Sequence, residues 1–146
     1  MPGPRRTLVL LCVAITMHAL AVLVQLVLAG SYLDGSGKAM VAHGTVGLSA
    51  VFLAVAQLIA AVLFWRPGRG GLWPTGVAAL LLAAIGLEVA MGYTRSLAIH
   101  VPLGVAIVVV SLAFAAWALN SASRLVPSEP DAGTPTTPGA SSGAAA

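Results

Sequence analysis

Residues 72–119, LWPTGVAALLLAAIGLEVAMGYTRSLAIHVPLGVAIVVVSLAFAAWAL, decide the fold, because two long apolar segments stand here with one short interruption. The interruption is the Thr-Arg-Ser of 94–96, and the stretch contains only one further charged residue, Glu88. A helix needs roughly 20 apolar residues to cross the hydrocarbon core of a bilayer. We therefore predict two transmembrane helices, 72–93 and 97–119, that form an antiparallel hairpin because their connection is so short.

The N-terminal half has the same organisation, with apolar segments at 7–29 and 39–65 and turn-rich or basic loops after them. The chain is 59% hydrophobic and only 8% charged, which is too little charge for the surface of a soluble domain. We predict an all-α integral membrane protein, an up-and-down four-helix bundle over residues 1–126. Residues 127–146 are rich in Pro, Thr, Ser, Gly and Ala, and we predict that they form a disordered C-terminal tail.

Basic residues in the short loops predict the orientation of this bundle. Five of them fall at one end and two at the other, namely Arg5, Arg6, Arg66, Arg69 and Arg124 against Lys38 and Arg95. Cytoplasmic loops carry the excess of Lys and Arg in multi-pass membrane proteins. We therefore predict a multi-pass protein of the cell membrane with both termini in the cytoplasm, and the lipid bilayer as its principal partner.

The sequence also limits the classes of function. Its basic residues are scattered and interleave with no aromatic stripe, so we expect no nucleic-acid partner. The single cysteine, Cys12, excludes an internal disulfide and a Cys-rich metal site. The sequence carries no pattern of a nucleophilic triad, a paired carboxylate, a phosphate-binding glycine loop or a zinc-binding HExxH. Whether the chain is an enzyme, and whether it forms a homo-oligomer, stays open.

The two predicted hairpins resemble each other locally. In each, a basic residue lies five positions before a histidine and a glycine lies four positions after it. The matching residues are Lys38, His43 and Gly47 in the first hairpin, and Arg95, His100 and Gly104 in the second. The predicted loops differ in length, so the match is local. It indicates that both halves share one plan.

His43 and His100 are the strongest candidates for a cofactor site. Each begins an even-numbered helix, so both should lie near the outer face of the membrane, and the second and fourth helices of such a bundle are diagonal. Two inward-facing imidazoles could then hold one iron between them. Gly47 and Gly104, one turn further along the same faces, would leave room for a flat group or for close helix packing. Lys38 and Arg95 would pair with haem propionates, whereas the alternative is two histidines that only cap helices at the interface.

Other polar residues within the spans are few, and ionisable groups there indicate function by default. Glu88 could accept the free ring N–H of a ligating histidine, or it could pair with Arg95. His18 lies near mid-bilayer, where a hydrogen bond to a neighbouring helix is favoured over a second cofactor or a proton relay. Gln57 and Ser111 follow the faces of the two histidines to greater depth, and we assign them to hydrogen bonds between helices.

Segments 24–30 (VQLVLAG) and 86–92 (GLEVAMG), together with histidines on the second and fourth helices, resemble one four-helix half of haem A synthase. The resemblance covers about residues 7–120. More loosely, the chain is similar to other small four-helix membrane b-type cytochromes, and to small four-helix bacterial membrane proteins without an assigned activity. His43 is followed by Gly44, where the synthase family tends to have Arg. The resemblance therefore implies a haem-ligand role for His43 and His100, and not the haem-modifying chemistry.

These observations lead to three hypotheses. The first is a small cytochrome-like protein that binds one haem b near the extracytoplasmic face, for electron transfer to a redox partner or for haem handling. The second is a non-catalytic subunit or assembly partner of a larger membrane complex, suggested by small residues such as Ala50, Ala54 and Ala60 on the second helix. The third is a transporter or proton relay that uses His18 and Glu88.

Overall fold

The structure, a computed structural model, describes residues 3–124 and contains four α-helices and no strand within that range. The helices are α1 (Pro4–Leu33), α2 (Gly37–Trp65), α3 (Trp73–Tyr93) and α4 (Leu97–Ser123). All four are long and apolar enough to cross a membrane. The chain is therefore a multi-pass membrane protein of the predicted fold class. The tail predicted at 127–146 lies outside the described residues.

The helices form an up-and-down bundle in which each helix packs on its sequence neighbours. Contacts join α1 to α2, α2 to α3, α3 to α4, and α4 back to α1. The diagonal pairs are α1 with α3 and α2 with α4, as the short connections predict. The loops 34–36 and 94–96 lie at one end, which we call the histidine end. The loop 66–72, the start of α1 and the end of α4 lie at the other, which we call the terminal end.

Two helices extend further than the apolar segments that predicted them. α1, predicted at 7–29, runs from Pro4 to Leu33, and α4, predicted at 97–119, continues to Ser123. Proline suits the first turn of a helix because its missing N–H would lack an intrahelical partner there, which explains Pro4 at the start of α1. α1 also continues through Gly30, since a helical glycine costs only about 0.5–1 kcal/mol.

The two turns at the histidine end are alike, contrary to the expectation that these loops differ in length. Each has three residues, and the backbone N–H groups of each turn donate hydrogen bonds to carbonyls at matching positions of the preceding helix. The middle residue of each is left-handed, with φ of 97° at Gly35 and 56° at Arg95. The length difference lies in the helices. Gln25 precedes its turn by nine residues and Glu88 by six, so the first hairpin extends about 4.5 Å further.

The internal repeat continues along the core faces of all four helices. On α1 and α3, equivalent residues of the two hairpins differ in residue number by one constant amount, and the pairs are Leu11 and Pro74, Ile15 and Ala78, His18 and Leu81, Val22 and Ile85, and Gln25 and Glu88. On α2 and α4 the difference is again constant, and the pairs are His43 and His100, Gly47 and Gly104, Ala50 and Ile107, Ala54 and Ser111, Gln57 and Phe114, and Ala61 and Ala118. From Leu11 to Val22 and from Ala50 to Ala61, both members of every pair are buried. The feature that the two hairpins share is therefore the pattern of buried residues that pack in the core.

This spacing of three and four residues arranges the core in layers, as in left-handed helix bundles. Gln25 packs at Gly47 and Glu88 packs at Gly104, which fixes the antiparallel register of each hairpin. One step further from the histidine end lie four buried apolar residues, one from each helix: Val22, Ala50, Ile85 and Ile107. We call these four the apolar layer. They separate the histidine end from the centre of the bundle.

The outward faces of the bundle are apolar over most of their length. Val27, Phe52, Leu80 and Val109, one from each helix, all keep more than half of their surface exposed. Large exposed apolar faces on every helix are consistent with contact to lipid tails. The small residues Ala50, Ala54 and Ala60 of α2 are instead buried within the chain's own core, so those alanines are not available to pack against another protein.

Candidate functional site

The candidate site is built around two histidines on diagonal helices at the histidine end. His43 comes from the second turn of α2 and His100 from the first turn of α4. Their ring centroids lie 6.2 Å apart with an interplanar angle of 70°. Both side chains are partly buried. The two residues that the sequence places at matching depth are therefore neighbours in the bundle interior.

Glu88 fixes the ring of His100. Its carboxylate Oε1 lies 3.1 Å from His100 Nδ1, and its backbone carbonyl oxygen lies 3.1 Å from the same nitrogen. Both oxygens accept when Nδ1 carries the proton, so the neutral imidazole keeps its Nε2 lone pair for a ligand. Of the two partners expected for Glu88, the structure selects His100 over Arg95.

Gln25 takes the corresponding position in the first hairpin, and sequence reasoning did not include it in the site. Its side-chain Nε2 donates to the backbone carbonyl of His43 at 3.0 Å. Gln25 and Glu88 occupy equivalent places in the repeat, and each reaches from an odd-numbered helix to a histidine of the next helix. The repeat was the signal that could have identified Gln25, because Gln25 precedes the first set of basic residue, histidine and glycine as Glu88 precedes the second.

The glycines of the repeat make room for these two polar side chains. A Cβ atom at Gly47 would come within 2.7 Å of Gln25 Nε2, and one at Gly104 would come within 2.7 Å of Glu88 Oε1. The predicted role of these glycines is to leave space on the histidine faces of the two helices. The structure places the Gln25 and Glu88 side chains in that space, so both glycines allow these side chains to reach the histidines.

The two halves of the site are not equivalent. His100 Nδ1 has the carboxylate of Glu88, whereas the buried His43 Nδ1 has no hydrogen-bond partner within residues 3–124. The other side-chain oxygens of the two supporting residues, Gln25 Oε1 and Glu88 Oε2, are also buried without a partner among these residues. The site therefore retains unused hydrogen-bonding capacity around the histidine pair.

Lys38 and Arg95 lie at the same end of the bundle, with exposed side chains. Lys38 belongs to the first turn of α2, and Arg95 occupies the left-handed position of the second turn. Within the described part of the chain, neither makes an ion pair with a carboxylate. Both positive charges are available at the rim of the site.

No group of three or more His, Cys, Asp or Glu side chains placed to hold a metal ion is found within residues 3–124. The donor set at the histidine end therefore consists of two imidazoles, with a carboxylate on one of them. His18, the third histidine, lies on the far side of the apolar layer, completely buried. As expected from its depth, it does not join the other two.

Comparisons with known proteins leave the function of this site to be argued from its geometry. The chain matches no protein family, no curated protein and no solved structure. The resemblance to haem A synthase and to small b-type cytochromes therefore stays a prediction, and its support comes from the residues of this chain alone.

Proposed function

We propose that this chain is a small cytochrome-like membrane protein that binds one haem b between His43 and His100, for electron transfer or haem handling. The residues present at the histidine end fit a haem b, because two imidazoles there could bind its iron. The two rings come from diagonal helices and are neighbours, Glu88 of α3 supports the ring of His100, and Gln25 of α1 supports the backbone of His43. A haem with two imidazole ligands supplies one-electron transfer chemistry when bound.

The observation that carries the proposal is the 6.2 Å distance between the ring centroids of His43 and His100. A bond between a metal and an imidazole nitrogen is about 2 Å long. Two rings that share one metal ion therefore place their centroids roughly 6 Å apart. Direct packing of two rings explains the distance equally well, but not why a partly buried carboxylate contacts one of them.

Glu88 adds chemical support. Metal-ligating histidines usually donate their second ring N–H to a carboxylate or a carbonyl, which fixes the tautomer and the ring orientation. His100 Nδ1 meets both kinds of oxygen from the single residue Glu88. His100 Nε2 is thereby left as the nitrogen that would face the iron. A carboxylate so close to the bundle interior is costly in a membrane, and this role explains its presence.

Charge at the histidine end fits a bound haem with its propionates near the surface. Lys38 and Arg95 are exposed there, each five residues before a histidine. The excess of Arg at the terminal end favours a cytoplasmic location for that end. The proposal therefore includes a cell-membrane protein with both termini in the cytoplasm and the haem near the extracytoplasmic face, accessible to a redox partner there.

An optical spectrum of the full-length protein tests this function directly. The protein is expressed with ample haem, purified in mild detergent, and measured oxidised and dithionite-reduced. We expect a Soret band in both states and a sharp visible band on reduction, typical of six-coordinate b-type haem. A protein that folds and purifies normally without a Soret band would refute haem binding, and its co-purification with a larger complex would favour a non-catalytic subunit.

The three histidines provide matched variants for this experiment. His43→Leu and His100→Leu each remove one proposed ligand, and each should lose the six-coordinate spectrum. His18→Leu removes a histidine beyond the apolar layer and should retain it. The elution profile of each variant on size exclusion reports folding separately. Retention of the wild-type spectrum by either ligand variant would contradict the assignment.

A further inference from the structure

A second group of polar side chains lies in the centre of the bundle, beyond the apolar layer. His18 and Gln57 are completely buried, and Ser111 is 2% exposed. They come from α1, α2 and α4. Five of their side-chain atoms are buried without a hydrogen-bond partner among the described residues: both ring nitrogens of His18, both amide atoms of Gln57, and Ser111 Oγ.

The packing register brings these three side chains together. Counting from the contact of Gln25 with Gly47, His18 lies level with Ala54, and Gln57 lies one turn further from the histidine end. Helical side chains lean towards the N-terminus of their own helix, so His18 and Gln57, on antiparallel helices, lean towards each other. The Gln57 amide lies close enough to the His18 ring to interact with it. Ser111 is the repeat counterpart of Ala54 and shares the level of His18.

The group is enclosed on both sides along the bundle axis. The apolar layer closes it towards the histidine end. Towards the terminal end, four buried residues at one level close it, namely Leu11, Ala61, Pro74 and Ala118. The alanines Ala54 and Ala78, both 0% exposed, are the small neighbours at the two levels that the polar side chains occupy. The three polar side chains therefore lie between two levels of buried residues along the bundle axis.

We propose that His18, Gln57 and Ser111 form an internal hydration site that holds at least one water molecule at the centre of the bundle. Each buried polar group without a partner destabilises the fold, and a lipid environment supplies no alternative partner. A direct hydrogen bond between His18 and Gln57 would use one atom of each and leave three of the five atoms unpaired. Water donates and accepts, so it can pair with several of them at once.

The repeat indicates that the packing of the core does not itself require polar residues at these three positions, which supports a specific polar site. The counterparts of His18 and Gln57 in the second hairpin are Leu81 and Phe114, and that of Ser111 in the first is Ala54. The same positions therefore pack with apolar residues elsewhere in this bundle. The three polar residues gather around α1, which contacts both α2 and α4. One helix thus places His18 between the two helices that carry Gln57 and Ser111.

Solid-state NMR of the full-length protein in phosphatidylcholine vesicles tests the site, with ¹⁵N-labelled histidine and ¹³C-labelled methyl groups. Magnetisation is transferred from water protons to the protein. We expect transfer to the His18 imidazole, and none over the same mixing time to the methyl groups of Val22 and Ile85 in the apolar layer. Absence of transfer to His18 would overturn the proposal.

Two serine variants sharpen the result. Ser111→Ala copies the residue that the repeat has at Ala54, and transfer to His18 should fall at least about twofold because the water loses a partner. Ser49→Ala removes an exposed hydroxyl that bonds only to its own helix and should leave the transfer unchanged. Equal transfer in both variants would remove Ser111 from the site. The measurement on the unmodified protein decides the proposal even if Ser111→Ala does not fold.

Discussion

At the scale of single residues, a glycine faces each polar side chain that supports the histidines. Gly104 lies against Glu88, and a methyl group there would approach the carboxylate Oε1 to 2.7 Å. We expect Gly104→Ala to displace Glu88 from His100 and to lower the free energy of unfolding by about 1–3 kcal/mol. Gly86→Ala is the matched control, because nothing lies within 4 Å of a Cβ there. Detergent-based thermal unfolding of both variants measures the difference, and equal stability would contradict the packing argument.

The carboxylate of Glu88 provides a second prediction at this scale. Glu88→Gln keeps a hydrogen-bond acceptor for His100 Nδ1 but removes the negative charge. Changes to such supporting groups typically cost about 10–100-fold in metal affinity, and we expect the lower end of that range because the amide oxygen still accepts. Titration of haem into the haem-free variant measures the affinity. Asp34→Asn, which removes an exposed carboxylate from the first turn, should bind haem like the unmodified protein.

Residue spacing predicted part of this site. The offsets of His43 and His100 from their basic residues and glycines placed the two rings at one depth, because helical periodicity converts spacing into position. Spacing could not choose between His100 and Arg95 as the partner of Glu88, since both lie within reach along the chain. That choice depends on the left-handed turn at Arg95, which directs the chain back so that the first turn of α4 meets the last turns of α3.

At the scale of elements, the two turns at the histidine end set the register of both hairpins. Gly35 has a φ of 97°, a conformation that costs other residues about 1–2 kcal/mol. We expect Gly35→Ala to destabilise the protein by roughly that amount. Gly30→Ala, in the last turns of α1 with open space around its Cβ, should instead stabilise it by about 0.5–1 kcal/mol. Unfolding of the two variants in detergent should shift in opposite directions, and a shared direction would disprove this account.

The sequence predicted all four helices because each apolar segment is long enough to cross a bilayer. It underestimated the ends of α1 and α4, since hydropathy marks the hydrocarbon core and not the end of helical hydrogen bonding. It also treated 30–38 as one long loop, because a Gly, Ser and Asp-rich stretch usually indicates a turn. The turn is only the three residues 34–36. The remainder of that stretch is helical because the extra turn of the first hairpin pairs with an equal extension of α2.

At the scale of the whole molecule, two hairpins with one packing pattern carry different polar residues at equivalent places. At the histidine end, Gln25 is equivalent to Glu88 and His43 to His100, although Glu88 contacts a histidine ring and Gln25 a histidine backbone carbonyl. The centre is asymmetric, because its polar residues have apolar counterparts in Leu81, Phe114 and Ala54. The apolar layer separates the two regions. Two histidines at equivalent positions suit a ligand held between the hairpins. The polar residues of the centre have no polar counterparts in the repeat, and they lie on α1 and the two helices beside it.

The orientation of the molecule in the membrane determines which compartment the histidine pair faces. Five basic residues at the terminal end against two at the histidine end predict that the terminal end is cytoplasmic. Cys12 is the only cysteine and is buried, so a Cys12→Ala background gives a chain without thiols. Ser36→Cys then marks the histidine end and Ser123→Cys marks the terminal end, both at exposed positions.

A membrane-impermeant maleimide applied to intact cells should label Ser36→Cys and leave Ser123→Cys unlabelled until the membrane is permeabilised. The opposite pattern would mean that His43 and His100 face the cytoplasm, and a redox partner would then have to be sought there. Labelling of both variants in intact cells would show that the chain inserts in two orientations. The balance of Arg and Lys would in that case be too weak to fix the orientation, and the position of the histidine pair relative to the membrane would not be unique.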